Sequence, residues 1–272
     1  MQSKIKIRSR YVPEGMKILY DDDDIVVIDK STSLLTVNAI EDQDQTAQKL
    51  VTEYIRKGNS RSNLKAHVIY RLDKNTSGVL VFAKSEKHAE TMRAALPAAK
   101  QVYWAVVVGR LKEKTGKVKS YLAESETHEV TIVSDPKKGL EAITEYTVLK
   151  EAQYNSLVEL RLLTNVKDQM RVQMASLGCP ILGDVRHGAE GNKTRVVLHL
   201  RSLTFAHPFT GAECTFEAKP SLAFEKHLYG GPIRKAARPL GPRETAPGTR
   251  PNAPKEPGTF VHPKSRHTEP RK

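Results

Sequence analysis

Val68-Ile-Tyr-Arg-Leu-Asp-Lys-Asn-Thr-Ser-Gly-Val-Leu-Val-Phe-Ala-Lys84 sets the reading of this chain. Two apolar runs rich in strand formers, Val68 to Tyr70 and Val79 to Ala83, bracket a polar turn that carries Asp73. Runs this short, split by turn chemistry, predict strands rather than one helix. Ser85 follows as an N-cap for a helix whose Ala89, Met92 and Leu96 share a face.

The same punctuation continues outward. Upstream, Ile25 to Asp29 reads as a strand after the acidic turn Asp21 to Asp24. Thr46 to Lys57 has helical spacing at Ala47, Leu50, Val51, Tyr54 and Ile55, and Gly58 ends it. Downstream, Val102 to Val108, Ile143 to Leu149 and Leu157 to Leu163 read as strands, with Val158, Leu160 and Leu162 on one face. Lys167 to Leu177 is a predicted helix with Met170, Met174 and Leu177 toward the core and Gly178 at the C′ position. Strands outnumber helices and often follow one another directly. The expected fold class is therefore α+β, one domain with a mostly antiparallel mixed sheet flanked by helices. No internal repeat is visible.

Composition narrows the partners. The 272 residues suffice for a substantial core, and no run approaches the roughly 20 apolar residues of a membrane span. The basic start MQSKIKIRSR lacks the apolar segment of a secretory signal, so a cytoplasmic address is expected. The formal charge is +13. From Gly231 onward ten Lys or Arg face three acids and nine of the fifteen prolines occur, a composition that cannot recover the entropy cost of folding. The expected division is a short basic extension at 1–16, a body at 17–230 and a disordered basic tail at 231–272. Positive charge on both body and tail favours a polyanion, although charge alone places nucleic acid only slightly ahead of anionic membrane.

Several common chemistries are excluded. Cys179 and Cys214 cannot build a disulfide framework, and no histidine cluster stands at zinc-ligand spacing, so no metal is expected. Asp73, Asn75, Ser77 and Gly78 fit the opening of an EF-hand loop, but Lys84 stands where its closing glutamate belongs. A P-loop, a dinucleotide fingerprint and a nucleophile elbow are absent.

The segment Arg71-Leu-Asp-Lys-Asn-Thr-Ser-Gly-Val-Leu-Val-Phe-Ala-Lys84 resembles the signature of the RluA-type RNA pseudouridine synthases, Arg-Leu-Asp, two variable residues, then Thr-Ser-Gly before a strand. Ile18 to Lys30 resembles that family's opening strand, Lys100-Gln-Val-Tyr-Trp-Ala-Val its Lys-Tyr-Ala element, and Ala142 to Tyr146 its Ala-x-Thr-x-Tyr strand. Gln169-Met-Arg171, Leu177 to Asp184, His199 and His207-Pro208 follow in the family's order. Four places depart from the pattern. Tyr70 replaces a common His, Lys30-Ser-Thr-Ser33 replaces Lys-Pro-x-Gly, Thr164 to Arg171 rewrites the third motif, and His187 stands where an aromatic is common.

The resemblance implies a pseudouridine synthase fold and the isomerisation of uridine in structured RNA, a ribosomal or transfer RNA stem-loop. The bond from N1 to the sugar breaks, uracil turns, and C5 takes the bond. No redox step or hydrolysis occurs, so no cofactor is expected, and one nucleophilic carboxylate can begin the exchange. By resemblance that carboxylate is Asp73, with Tyr103 against the uracil and Arg171 holding the anion. In a dry pocket the carboxyl would otherwise tend to protonate. On residues alone, Asp168 three positions earlier offers Arg171 a plain surface salt bridge. Arg71 is the candidate for entering the duplex as the target base leaves it. Lys30, Lys84, Lys100 and Lys167 are candidate phosphate contacts, and Arg171 would share a helical face with Lys167 one turn before it. His199 and His207 read as structural. A monomer is expected. The competing reading is a catalytically weakened RNA-binding protein of the same fold that acts in ribosome assembly.

Overall fold

The structure, a computed structural model, describes residues 12–37, 45–189, 195–207 and 209–231. The expected disordered tail and most of the N-terminal extension lie outside the described residues. Strands β1 (Met16–Asp21) and β2 (Ile25–Lys30) form a hairpin around the acidic turn, where Asp22 Oδ1 accepts the amides of Asp24 and Ile25, both at 2.8 Å. Ile25 to Ile28 are all fully buried, so β2 is covered on both faces and shows no alternation.

Helix α1 (Ala47–Arg56) starts where Thr46 accepts the Lys49 amide at 3.2 Å, and its five expected apolar residues are all buried. Its stop is a left-handed pair, Lys57 at φ 51° and Gly58 at φ 78°. β3 (His67–Val68) is shorter than the run Val68 to Tyr70 predicts, because Tyr70 leaves the ladder and donates its hydroxyl to the Val79 carbonyl at 2.8 Å. β4 (Ser77–Ala83) is followed by α2 (Glu86–Ala95), capped by Ser85 as expected, with Ala89 and Met92 buried.

Next come β5 (Lys100–Val108), β6 (Thr115–Glu124), β7 (Val130–Val133), β8 (Leu140–Glu151), β9 (Asn155–Leu162), α3 (Gln169–Ser176), β10 (Leu198–Ala206), β11 (Glu213–Glu217) and α4 (Leu222–Lys226). All eleven strands join one sheet in the path β1-β2-β4-β10-β5-β9-β8-β6-β7, with β3 added to β4 and β11 to β10. Every pairing is antiparallel except β4 with β10. The expected α+β class and mostly antiparallel mixed sheet are what form. β6 escapes the apolar pattern because Lys117 and Lys119 hold its outward face against Glu145 and Glu141 of β8.

α3 corrects the expected helix Lys167 to Leu177. It begins at Gln169, with Asp168 in the left-handed region at φ 54°, so Lys167 lies before the helix and shares no helical face with Arg171. Leu177 is 40% exposed, whereas Met170 and Met174 are buried as expected. Past its end Gly178 turns back at φ 75°, which points Leu177 outward.

Gly78 fixes the parallel junction. It pairs with Leu200 at φ 114°, and a Cβ built there would lie 2.2 Å from the Leu200 carbonyl oxygen, a backbone atom that cannot rotate aside. Gly78→Ala is expected to cost about 2–4 kcal/mol of stability, read as a lowered urea midpoint. A midpoint equal to that of the unaltered chain would disprove the close approach.

Candidate active site

Asp73 sits in the loop that feeds β4, where its own carbonyl accepts the Thr76 amide at 3.0 Å. The preceding segment clasps this loop from below. Thr36 Oγ1 donates to the Leu72 carbonyl at 2.7 Å and accepts the Leu72 amide at 3.1 Å, and the Ser33 amide donates to the Lys74 carbonyl at 2.9 Å. Lys30 is fully buried, and its ammonium donates to the carbonyls of Ser31, Leu34 and Lys74 at 3.1, 2.8 and 3.4 Å. Burial brings its pKa down to about 8 against the opposing pull of Asp73. An ammonium enclosed in this way ties the loop and does not reach a phosphate, which corrects the expected role of Lys30.

The loop forms one wall of a cleft of about 600 Å³, the space of a small-molecule site, lined among others by Arg71, Asp73, Tyr103, Lys167 and Arg171. Three elements from distant parts of the chain thus meet. Tyr103 comes from β5, is 7% exposed, and donates its hydroxyl to Gln101 Oε1 at 3.0 Å. Burial, reinforced by the negative Asp73, pushes its phenol above the ordinary value, so it is held protonated.

Arg171 comes from the first turn of α3. Its Nη1 lies 3.9 Å from Asp73 Oδ2, an ion-pair separation rather than a hydrogen bond. Nε and Nη2 fork onto Asp184 at 2.7 and 2.8 Å, and Nη1 also donates to Asp168 Oδ1 at 2.5 Å. Asp184 is 1% exposed and Asp168 9%, so the expected surface salt bridge is instead an enclosed one, and Asp184 is the stronger partner. The fork aims the guanidinium's remaining edge at Asp73. The Asp73 side chain is 74% exposed, which replaces the dry pocket the sequence suggested with an open one.

The other expected cations divide. Arg71 and Lys167 line the cleft, although Lys167 also binds Glu124 Oε1 at 2.5 Å. Lys84 lies at the opposite end of β4 from Asp73, about 20 Å along the strand, in an ion pair with Asp21 at 2.6 Å. Lys100 opens β5, pairs with Glu213 at 3.4 Å and projects from the face opposite Tyr103. Neither lines the cleft. Sequence reasoning passed over Arg186, Lys74 and Asn165, which do, and Asp184 behind them. Asp184 ends the Leu177 to Asp184 segment of the resemblance, and Arg186 stands beside His187.

A sequence profile described as RNA pseudouridylate synthase matches residues 24–176, more than half of the chain. The chain belongs to that family. It is accordingly an RNA-modifying isomerase that makes pseudouridine. The tRNA pseudouridine synthase C of Vibrio parahaemolyticus is 31% identical over 232 residues, covering 76% of this chain and 91% of that protein. The ribosomal large subunit pseudouridine synthase C of Rickettsia conorii is 30% identical over 219 residues, covering 78% and 70%. Among solved structures, human RNA pseudouridylate synthase domain containing 4 superposes with a TM-score of 0.63 at 24% identity over 78% of this chain and 91% of that one, a likeness of fold.

Two departures of the synthase from the family pattern fall on residues near the site. Ser33 stands at φ 71°, in the left-handed region a glycine would occupy at the end of Lys-Pro-x-Gly. A serine in that region is strained. His187, in place of an aromatic, is buried and lies 3.1 Å through Nδ1 from both Asp184 oxygens, so it supports the carboxylate that holds Arg171. His199 bridges Ser77 Oγ at 2.8 Å and the Ala218 carbonyl at 2.9 Å, a structural link between strands. No helix among the described residues is long and apolar enough to cross a membrane.

Proposed function

We propose that the synthase isomerises a uridine extruded from a stem-loop of ribosomal or transfer RNA, with Asp73 as the nucleophile. The observation that carries this is the convergence of Asp73, Tyr103 and Arg171 on one cleft, with the guanidinium 3.9 Å from the carboxylate. The Arg171 guanidinium, 3.9 Å from Asp73 Oδ2, sets a positive charge beside the attacking carboxylate. Tyr103, held protonated, offers the uracil an aromatic surface rather than a base. Uridine inside a helix is out of reach of this wall, so the base leaves the stack at a cost of a few kcal/mol, least in a loop. Arg71 on the cleft wall is suited to fill the vacated space. Lys74, Lys167 and Arg186 around the same cleft are suited to the flanking phosphates.

Both named relatives support an RNA of the ribosomal or transfer class. The weakened-binder reading draws on the rewritten segments, but Ser33 adopts a glycine-like φ and Arg171 keeps its place. The test is a nucleotide-resolution pseudouridine map of cellular RNA with and without the gene. Loss of pseudouridine at one or a few positions of a ribosomal or transfer RNA is expected. Unchanged maps, together with an inactive purified chain on those RNAs, would replace the proposal with the binder.

A further inference from the structure

The β1–β2 turn, at the end of β4 remote from the cleft, gathers a second set of donors. Asp22 and Asp24 belong to that turn, His207 follows β10, and His88 lies on α2. The ligand atoms of Asp22, Asp24 and His207 all lie within 4.8 Å of one another. His207 is 2% exposed, and its Nε2 lies 3.3 Å from Asp22 Oδ2 without forming a hydrogen bond to it or to any other group described. His88 Nδ1 is likewise enclosed and without a hydrogen bond, 3.2 Å from Asp24 Oδ1. Two of the buried side-chain atoms that lack a hydrogen-bond partner among the described residues, His88 Nδ1 and His207 Nε2, lie here. Such clustering calls for an occupant, because an enclosed polar atom left unpaired costs about 1–3 kcal/mol.

We propose that Asp22, Asp24 and His207 bind a divalent transition cation of the zinc type, with solvent completing its coordination. The spacing fits. Zinc arms of 2.0–2.1 Å in a tetrahedron place neighbouring donors about 3.3 Å apart, which is the separation of His207 Nε2 from Asp22 Oδ2. The charge fits as well: Lys84 neutralises Asp21 at 2.6 Å, which leaves Asp22 and Asp24 to balance two positive charges. Imidazole donors select this class over magnesium or calcium. Asp22 Oδ1 is already engaged by two amides, so the turn presents Oδ2 without rearrangement. His207 Nδ1 would give up a long 3.4 Å contact from the Thr210 amide and carry the proton instead. The ion would pin the hairpin turn to the end of β10.

The full chain, stripped with a chelator, is titrated with Zn²⁺ by calorimetry and melted with and without the ion. One equivalent bound with micromolar or tighter affinity and a raised Tm are expected, since an ion that binds only the folded state stabilises it. Asp24→Asn and His207→Ala should each lose that equivalent and the Tm response, while His227→Ala, at an exposed position, retains both. If His207→Ala does not fold, Asp24→Asn decides, because the Asp24 side chain is 24% exposed and its loss leaves no core cavity. Absence of uptake, or uptake that survives Asp24→Asn, overturns the site and leaves His207 beside Asp22 with no metal between them.

Discussion

Asp73→Ala is expected to lower pseudouridine formation by at least about 10³-fold, the scale on which removal of a covalent nucleophile acts. RNA affinity should change little. The reason for the contrast lies in what the side chain touches. The turn is made by the Asp73 carbonyl and by the clasp of Lys30, Ser33 and Thr36 on its neighbours, whereas the carboxyl is 74% exposed. Removing it therefore leaves the loop in place, and Arg171 stays forked on Asp184. Asp73→Asn, which keeps shape but not charge, should be equally inactive. Both are measured as tritium release or as modified base per strand, alongside a binding isotherm and a melt. Turnover within a few-fold of the unaltered enzyme, in a variant whose melt is unchanged, would remove Asp73 from the chemistry.

Asp184→Ala is expected to cost about 3–5 kcal/mol of stability, because it strips a buried guanidinium of its bidentate partner. For a body of this size that corresponds to a fall in Tm on the order of 10 °C. Asp184 is 1% exposed and receives both Nε and Nη2 of Arg171. Burial by itself would raise its carboxyl, but the hydrogen bonds and charges of Arg171 and His187 prevail and hold it at about 2, below the ordinary 3.8. A carboxyl depressed on folding contributes stability that is fully present above its unfolded value and is lost as pH falls through its folded value. The stability gap between the unaltered chain and Asp184→Asn should thus hold steady above pH 3.8 and close between there and about 2. Asp23→Ala, at an exposed position of the acidic turn, serves as the control. If Asp184→Ala melts with that control, the fork does not anchor Arg171.

The two variants separate roles within one cluster. Asp73→Ala should affect rate and spare the melt. Asp184→Ala should affect the melt and also the rate, since a guanidinium released from its fork has Asp73 and Asp168 left to pair with.

Much of the fold was legible because its signals are local. The helix over Ala47–Arg56 follows from five apolar residues at helical spacing behind a threonine cap, and the β4 strand from an apolar run behind a glycine. Periodicity and capping act over a few residues, so one stretch of chain contains everything they need. The start of α3 is not legible in the sequence, because Asp168 turns its backbone left-handed while its carboxylate goes to Arg171 instead of a cap. β6 was passed over because its outward face is made of charged residues paired to β8.

The residues themselves showed the turn that carries Asp73 and the family resemblance, and the resemblance supplied Tyr103 and Arg171 as its companions. Which carboxylate Arg171 grips, which lysine is buried and which faces the cleft came from packing. Lys30, Lys84 and Lys100 look alike in the sequence, yet one lies under the loop, one at the far end of β4 and one on the opposite face of β5. Asp184, and the meeting of His207 with Asp22 and Asp24, follow the same rule. A charged side chain's partner depends on what the fold brings within a few ångströms and how much water it removes there, and no local pattern encodes either.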